Sequence, residues 1–184
     1  MTPLDFLLTR RSFPILTAPA PSTEQLNTLM QAALRAPDHG NLKPYRFLIC
    51  EGEKLTALGE LYAQGMQQSG ESDIAKLDRA KGLPLRAPMV VIAVASFKDS
   101  PKTPRQEQLI TAGLATFQII NAAQALGFGA YWRTGDIAYN PAIWRLLGLA
   151  ENEQVIGYVY VGTVKGAPKD TGAAPAAETI WSYF

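Results

Sequence analysis

Met89, Val90, Val91, Ile92, Ala93, Val94 and Ala95 form an unbroken apolar run in which β-branched residues are the majority. Successive strand side chains point to opposite faces, so a strand of this kind has no solvent side and must be covered twice over. Shortly downstream comes a second segment without a wet face. Over residues 105–126, Leu109, Ile110, Leu114, Phe117, Ile119 and Ile120 recur around the whole circumference. That pattern predicts a helix at the centre of the core or in a subunit interface. A chain carrying both segments needs a sheet with helices packed on it, which predicts an α+β fold.

The remaining elements fit around this pair. Pro3 after Thr2 suits a helix start, and Leu4, Leu7 and Leu8 share one face up to Arg10 and Arg11. Residues 18–21 are a Pro-Ala connector. Ser22 and Gln25 have the form of a capping box, and Leu26, Leu29, Met30, Ala33 and Leu34 follow at helical spacing. Pro37 disfavours helical geometry at Ala36 and ends that helix. Residues 46–51, 130–132 and 155–162 read as further strands. A helix is expected over 54–68, and the polar stretch 69–85, helical in its middle, is a reasonable place for a mobile flap. After residue 163 the tail is rich in Ala, Pro, Lys and Gly but ends in Ile180, Trp181, Tyr183 and Phe184. Such an apolar end is expected to dock on a partner subunit.

Bulk numbers narrow the function. The 184 residues are expected to form one domain, 1–184, with a sizeable core. A formal net charge of +1 gives no support to nucleic-acid or anionic-membrane binding, so any basic residues act locally. A single cysteine, Cys50, excludes an internal disulfide framework and multi-cysteine metal sites. A single histidine, His39, excludes a histidine pair for zinc, and no metal is expected. The N-terminal arginines follow a brief apolar stretch, the reverse of a secretory signal, and a cytoplasmic location is expected.

Three polar islands remain in this apolar chain. Arg10, Arg11 and Ser12 close the first helix. Helix-dipole charge would account for the arginines; a phosphate clamp of guanidinium forks and a hydroxyl would account for all three. The loop 35–45 holds Arg35, His39, Gly40 and Asn41 between Pro37 and Pro44. Gly40 permits a left-handed turn, and Asn41 offers a donor and an acceptor to a heteroaromatic edge. His39 serves either as acid or donor toward a phosphate, or as an anchor of its own loop. Residues 127–135 contribute Gly127, Gly129, Trp132, Arg133 and Thr134. The glycines lack a third partner and follow a helix rather than a strand, so a dinucleotide-binding turn is excluded by context. They fit backbone brought near a ligand, or a tight helix-to-strand turn. No nucleophile elbow or phosphate-binding Gly-Lys loop occurs. No catalytic side chain is therefore assigned, and demanding chemistry would have to come from a cofactor.

In order and spacing, the three islands resemble the nitroreductase family of flavin enzymes, most closely its small YdjA-type branch. Arg10-Arg11-Ser12 matches the family's Arg-Arg-Ser. The segment from Ala36 and Pro37 through Asn41, Pro44 and Phe47 is similar to its Ala-Pro-Ser-x-x-Asn-x-Gln-Pro-Trp-x-Phe stretch. Residues 126–129 and 132–135 match its third motif. The resemblance implies a mixed central sheet flanked by helices, in a homodimer with FMN at two interface sites and NADH or NADPH as co-substrate. It implies that Arg10, Arg11 and Ser12 hold phosphate and ribityl oxygens. Arg35 and His39 would reach in from the partner subunit, Asn41 would lie near the ring, and Trp132, Arg133 and Thr134 would border it. Ala122, Ala123, Gln124, Ala125, Leu126 and Gly127 correspond to a segment associated with nicotinamide-nucleotide binding in that branch, although here they also read as helix core.

The expected reaction is ping-pong hydride transfer from NAD(P)H through FMN to an electron-poor acceptor such as a nitroaromatic or quinone. A dedicated reductase or dehydrogenase of one metabolite, and a flavin-binding sensor or storage module, are the alternatives. Departures from the family pattern bear on substrate choice. Lys43 stands where Gln is frequent, Tyr45 where Trp is frequent, and Pro14 where larger members carry a base. Lys165 and Lys169 are the candidates for a basic pair that many relatives carry near the C-terminus.

Overall fold

The computed structural model describes residues 2–166 and 176–184. Lys169 therefore lies outside the described residues. The sheet is built on β5 (Glu153–Val164), the longest strand, which pairs with β3 (Met89–Ser96), β4 (Gly129–Arg133) and the two-residue β1 (Leu16–Thr17). β2 (Tyr45–Glu51) adds outside β3. Every pairing among the described residues is antiparallel, so the mixture in this α+β fold is of helix with sheet.

All eight residues of β3 are buried, as its uninterrupted apolar character requires. Val90, Ile92 and Val94 face α3 (Glu53–Gln68), joined there by Leu58, Tyr62 and Ile143. Met89 and Val91 face the other way, against Leu29 of α2 (Thr23–Ala33) and Ile119 of α5 (Arg105–Ala125). The fold is thus three layers, with α2 and α5 on one side of the sheet. On the other lie α3, α4 (Ile74–Gly82) and α7 (Pro141–Leu146), α7 following the single turn α6 (Asp136–Tyr139).

Caps set the helix starts. Ser22 and Gln25 exchange reciprocal bonds at the head of α2, as predicted, and Thr2 and Asp5 do the same for α1 (Pro3–Thr9). The central segment of the 69–85 stretch is α4, which buries Leu77 and Ala80 against α3. α5 packs one face into the core and leaves another open. Ala112, Ala115, Thr116, Ile119 and Ala123 are buried on the sheet, while Ile110, Leu114 and Phe117 lie on an exposed strip. α1 buries nothing, and Leu4, Leu7 and Leu8 stand in the open.

Candidate functional site

Trp132 is the best-fixed of the predicted site residues, and β5 fixes it. Ala93 pairs with Gly157 but Val94 pairs with Val155, so Ile156 is a bulge with no partner on β3. Its carbonyl accepts the indole N–H of Trp132 at 3.3 Å. Gly157 is required beside it, because a Cβ there would overlap Trp132 Nε1 and stand 2.6 Å from its Cδ1. A glycine inside a strand is the sequence signal that could have located this bulge.

The chain after α1 lies beside β4, where Phe13 N–H donates to Ala130 O at 3.0 Å. This brings the first and third islands together. Arg133 reaches Pro14 O at 3.2 Å from Nη2 and stacks 4.1 Å above the Tyr131 ring. Its Nε is buried without a hydrogen-bond partner. Arg10 rests 5.8 Å from the Phe117 ring of α5, and Arg11 N–H donates to Gln124 Oε1 at 3.4 Å. Ser12 and Thr134 are exposed. Of the segment 122–127, Ala122 and Gln124 are half-buried and Ala123 is fully buried in the core. Ala125, Leu126 and Gly127 are exposed at the end of α5. Gly127 closes that helix with a φ of +85°.

The second island sits elsewhere. His39 Nδ1 contacts Glu107 Oε2 at 2.7 Å in the first turn of α5, and Thr111 Oγ1 bonds Pro37 O at 3.1 Å. Gly40, Asn41 and Lys43 are all left-handed, with φ of +77°, +52° and +47°. Lys43 N–H donates to Asp38 Oδ2 at 2.7 Å and its ammonium to Asn41 Oδ1 at 2.8 Å, which hold this costly backbone in place. The Arg35 side chain is exposed just beyond α2. From Glu107 to Gln124 is about 25 Å along α5 at 1.5 Å per residue. Within one chain, then, Arg35, His39 and Asn41 do not meet Arg10, Arg11, Ser12, Trp132, Arg133 and Thr134.

Beyond Trp132 and Arg133 opens a cavity of about 640 Å³, bounded by β4, β5, α3 and α4. Tyr62, Tyr158 and Tyr160 line it. Burial raises all three phenols above their ordinary range, so they are neutral hydroxyls; the Arg133 and Arg86 cations partly offset this for Tyr160. These tyrosines and the α4 cations were not anticipated from sequence. The Tyr158 and Tyr160 alternation on β5 was the available signal.

Two guanidinium groups and a hydroxyl at the end of α1 make a donor-rich stretch of chain suited to a dianionic phosphate. The nitroreductase family profile matches residues 7–163. The chain belongs to the nitroreductase family. Among nitroreductase relatives, YdjA of Escherichia coli (strain K12), whose name calls it a putative NAD(P)H nitroreductase, is 37% identical over the full length of both chains. A relative of the same designation in Haemophilus influenzae is 41% identical over 89% of each. The nitroreductase fold recurs in a family protein from Bacillus cereus, with a TM-score of 0.84 at 20% identity, covering 100% of this chain and 96% of that one. It recurs also in an FMN complex from Desulfovibrio desulfuricans, at 0.75 and 21%, covering 100% and 98%. No helix of the described residues is long and apolar enough to cross a membrane.

Proposed function

We propose that this chain, as a single-domain cytoplasmic homodimer, is an FMN-dependent NAD(P)H oxidoreductase. The observation carrying the proposal is that Arg10 and Arg11 are held against α5, at the Phe117 ring and the Gln124 amide oxygen, with Ser12 following and Arg133 tied to the same stretch of chain at Pro14. The names of the full-length relatives support the choice of NADH or NADPH as reductant. When bound, FMN supplies the redox chemistry, accepting a hydride and passing electrons to an electron-poor acceptor such as a nitroaromatic or quinone in ping-pong turnover.

The residues do the rest. Arg10 and Arg11 neutralise the phosphate, and Ser12 donates to it. Trp132, pinned by the Ile156 carbonyl, gives the ring a fixed edge; Arg133 and Thr134 offer donors beside it. Arg35 and His39 enter from the second protomer, a reading that the length of α5 supports, and Asn41 lies near the ring. Because Lys43 occupies the Asn41 oxygen, Asn41 is left with its amide N–H groups to present. No side chain acts as nucleophile.

The test is an absorbance spectrum of the purified protein, repeated anaerobically with NADH and then NADPH. A flavin spectrum that bleaches supports the reading. A flavin spectrum unmoved by both nicotinamides points to a binding module, and a colourless protein that takes up no FMN ends the proposal. Arg10→Ala should weaken FMN affinity by about tenfold, roughly 1.4 kcal/mol, read by equilibrium dialysis. Unchanged affinity counts against the clamp.

A further inference from the structure

The cavity behind Arg133 is strongly positive, although the whole chain carries a formal charge of only +1. Lys76, Arg79, Arg86 and Arg133 border it, and Asp136 is the one carboxylate among its lining residues. Lys76 is already compensated, because its ammonium pairs with Glu71 at 2.8 Å and faces Asp136. Arg79 and Arg86 have no carboxylate at ion-pair distance among the described residues. They owe their positions to packing. On α4, Leu77 and Ala80 turn into the core, which sends Lys76 and Arg79, three residues apart, to the cavity side. Arg86 closes the tight turn Pro84–Arg86 that follows.

The inner wall has a different character. Tyr62 is 1% exposed. Tyr158 packs edge-on against it with ring centroids 5.2 Å apart. Aromatic walls and the uncompensated guanidiniums of Arg79 and Arg86 describe a site for a flat ring carrying an anionic substituent. The phosphate clamp at Arg10 to Ser12 packs against α5, on the opposite layer from α4. Arg79 and Arg86 are therefore available to a second anion.

Building on the proposed function, we propose that this cavity selects an acceptor with a negatively charged group, such as an aromatic carboxylate, and that Arg79 and Arg86 are its specificity-determining residues. The pyrophosphate of a nicotinamide nucleotide offers similar charge, so the test separates the two.

The holoenzyme is assayed with 4-nitrobenzoate and its neutral isostere 4-nitrobenzamide, in the native protein and in Arg79→Gln and Arg86→Gln. Comparing the ratio of kcat/KM values for the two acceptors between proteins cancels the acceptors' intrinsic reducibility. Each variant should lower the benzoate-to-benzamide ratio by about tenfold, and added salt should erode the native ratio. Flavin content and the NADH and NADPH dissociation constants should stay at native values. Calorimetric titration with benzoate and benzamide, needing neither turnover nor flavin, should show the same discrimination. Arg79→Lys and Arg86→Lys, which keep the charge, should retain part of it and guard against a folding defect in the Gln variants. An unchanged ratio overturns the proposal. So does a loss confined to flavin content or nicotinamide affinity, which would assign the arginines to cofactor or reductant. A protein that binds no FMN yet prefers benzoate to benzamide would overturn the proposed function while keeping the anion site.

Discussion

A methyl group at position 157 would overlap the Trp132 indole nitrogen and crowd the Arg133 carbonyl at 3.0 Å. Gly157→Ala should therefore cost about 1–3 kcal/mol of stability by overpacking. Thermal denaturation measures that loss, and flavin fluorescence should show weaker retention in the same variant. A different side-chain effect governs the acid limb. Arg46 grips Glu153 through two bonds of 2.7 Å, joining β2 to β5 across β3. That guanidinium, set against the opposing cost of burial, lowers the carboxyl from an ordinary 4.5 to about 2. The depressed value means that the stabilisation is complete above pH 4.5 and lost as pH falls toward 2. Arg46 is 37% exposed, so solvent screening limits the pair to about 1–2 kcal/mol. Glu153→Gln should flatten the fall in stability between those two pH values; an identical acid limb would remove the pair from the account.

Helix starts allow a matched comparison, because α1 and α2 carry the same capping box in different settings. α2 buries Leu29 and Ala33, so Ser22→Ala should cost about 1 kcal/mol of global stability. α1 buries nothing in its own chain, so Thr2→Ala should fray that helix without moving the main transition of the isolated protomer. Hydrogen exchange at Asp5 and Phe6 reports the fraying. The Ser22 box was legible in sequence, and so was a helix start at Pro3, though not its Thr2–Asp5 box; β2, β3, β5 and α5 were legible because each carries its own periodicity or apolar run. β1 was not: two residues, Leu16 and Thr17, hold no pattern, and only pairing with Thr163 and Val164 makes them a strand. The helix in the middle of 69–85 was legible, but its seating on α3 through Leu77 and Ala80 was not. Arg79 and Arg86 were invisible as site residues for the same reason, since only that packing gives them a shared cavity. Arg10, Arg11 and Arg133 could be singled out locally, but the tie of Arg133 to the chain after α1 depends on that chain lying beside β4, which no local pattern encodes.

Exposed apolar surface is distributed over the protomer in a telling way. Ile110, Leu114 and Phe117 on α5, Leu4, Leu7 and Leu8 on α1, and Ile180, Trp181, Tyr183 and Phe184 at the C-terminus all face outward. A monomer seldom leaves so much uncovered, and a second copy is the occupant our proposed function requires. Ile110→Glu, which places a charge where 56% of the side chain is exposed, should leave the protomer folded but split the dimer. Sedimentation velocity should show the halved mass, and FMN should be lost with it, since Arg35 and His39 would no longer reach the cofactor. A dimeric variant, or a monomer that keeps its flavin, would contradict that arrangement.

α5 also acts as a ruler. Its first turn holds the His39 loop through Glu107, and its last turns hold Arg11 through Gln124. Inserting one residue between them would lengthen the helix by only about 1.5 Å but twist one end against the other by about 100°. Seven residues would nearly restore the phase, with about 20° of drift, while adding about 10 Å to the separation. Neither change keeps both the angle and the span. The length of α5 is therefore fixed at both ends, although nothing in its near-uniform apolar sequence announces that constraint.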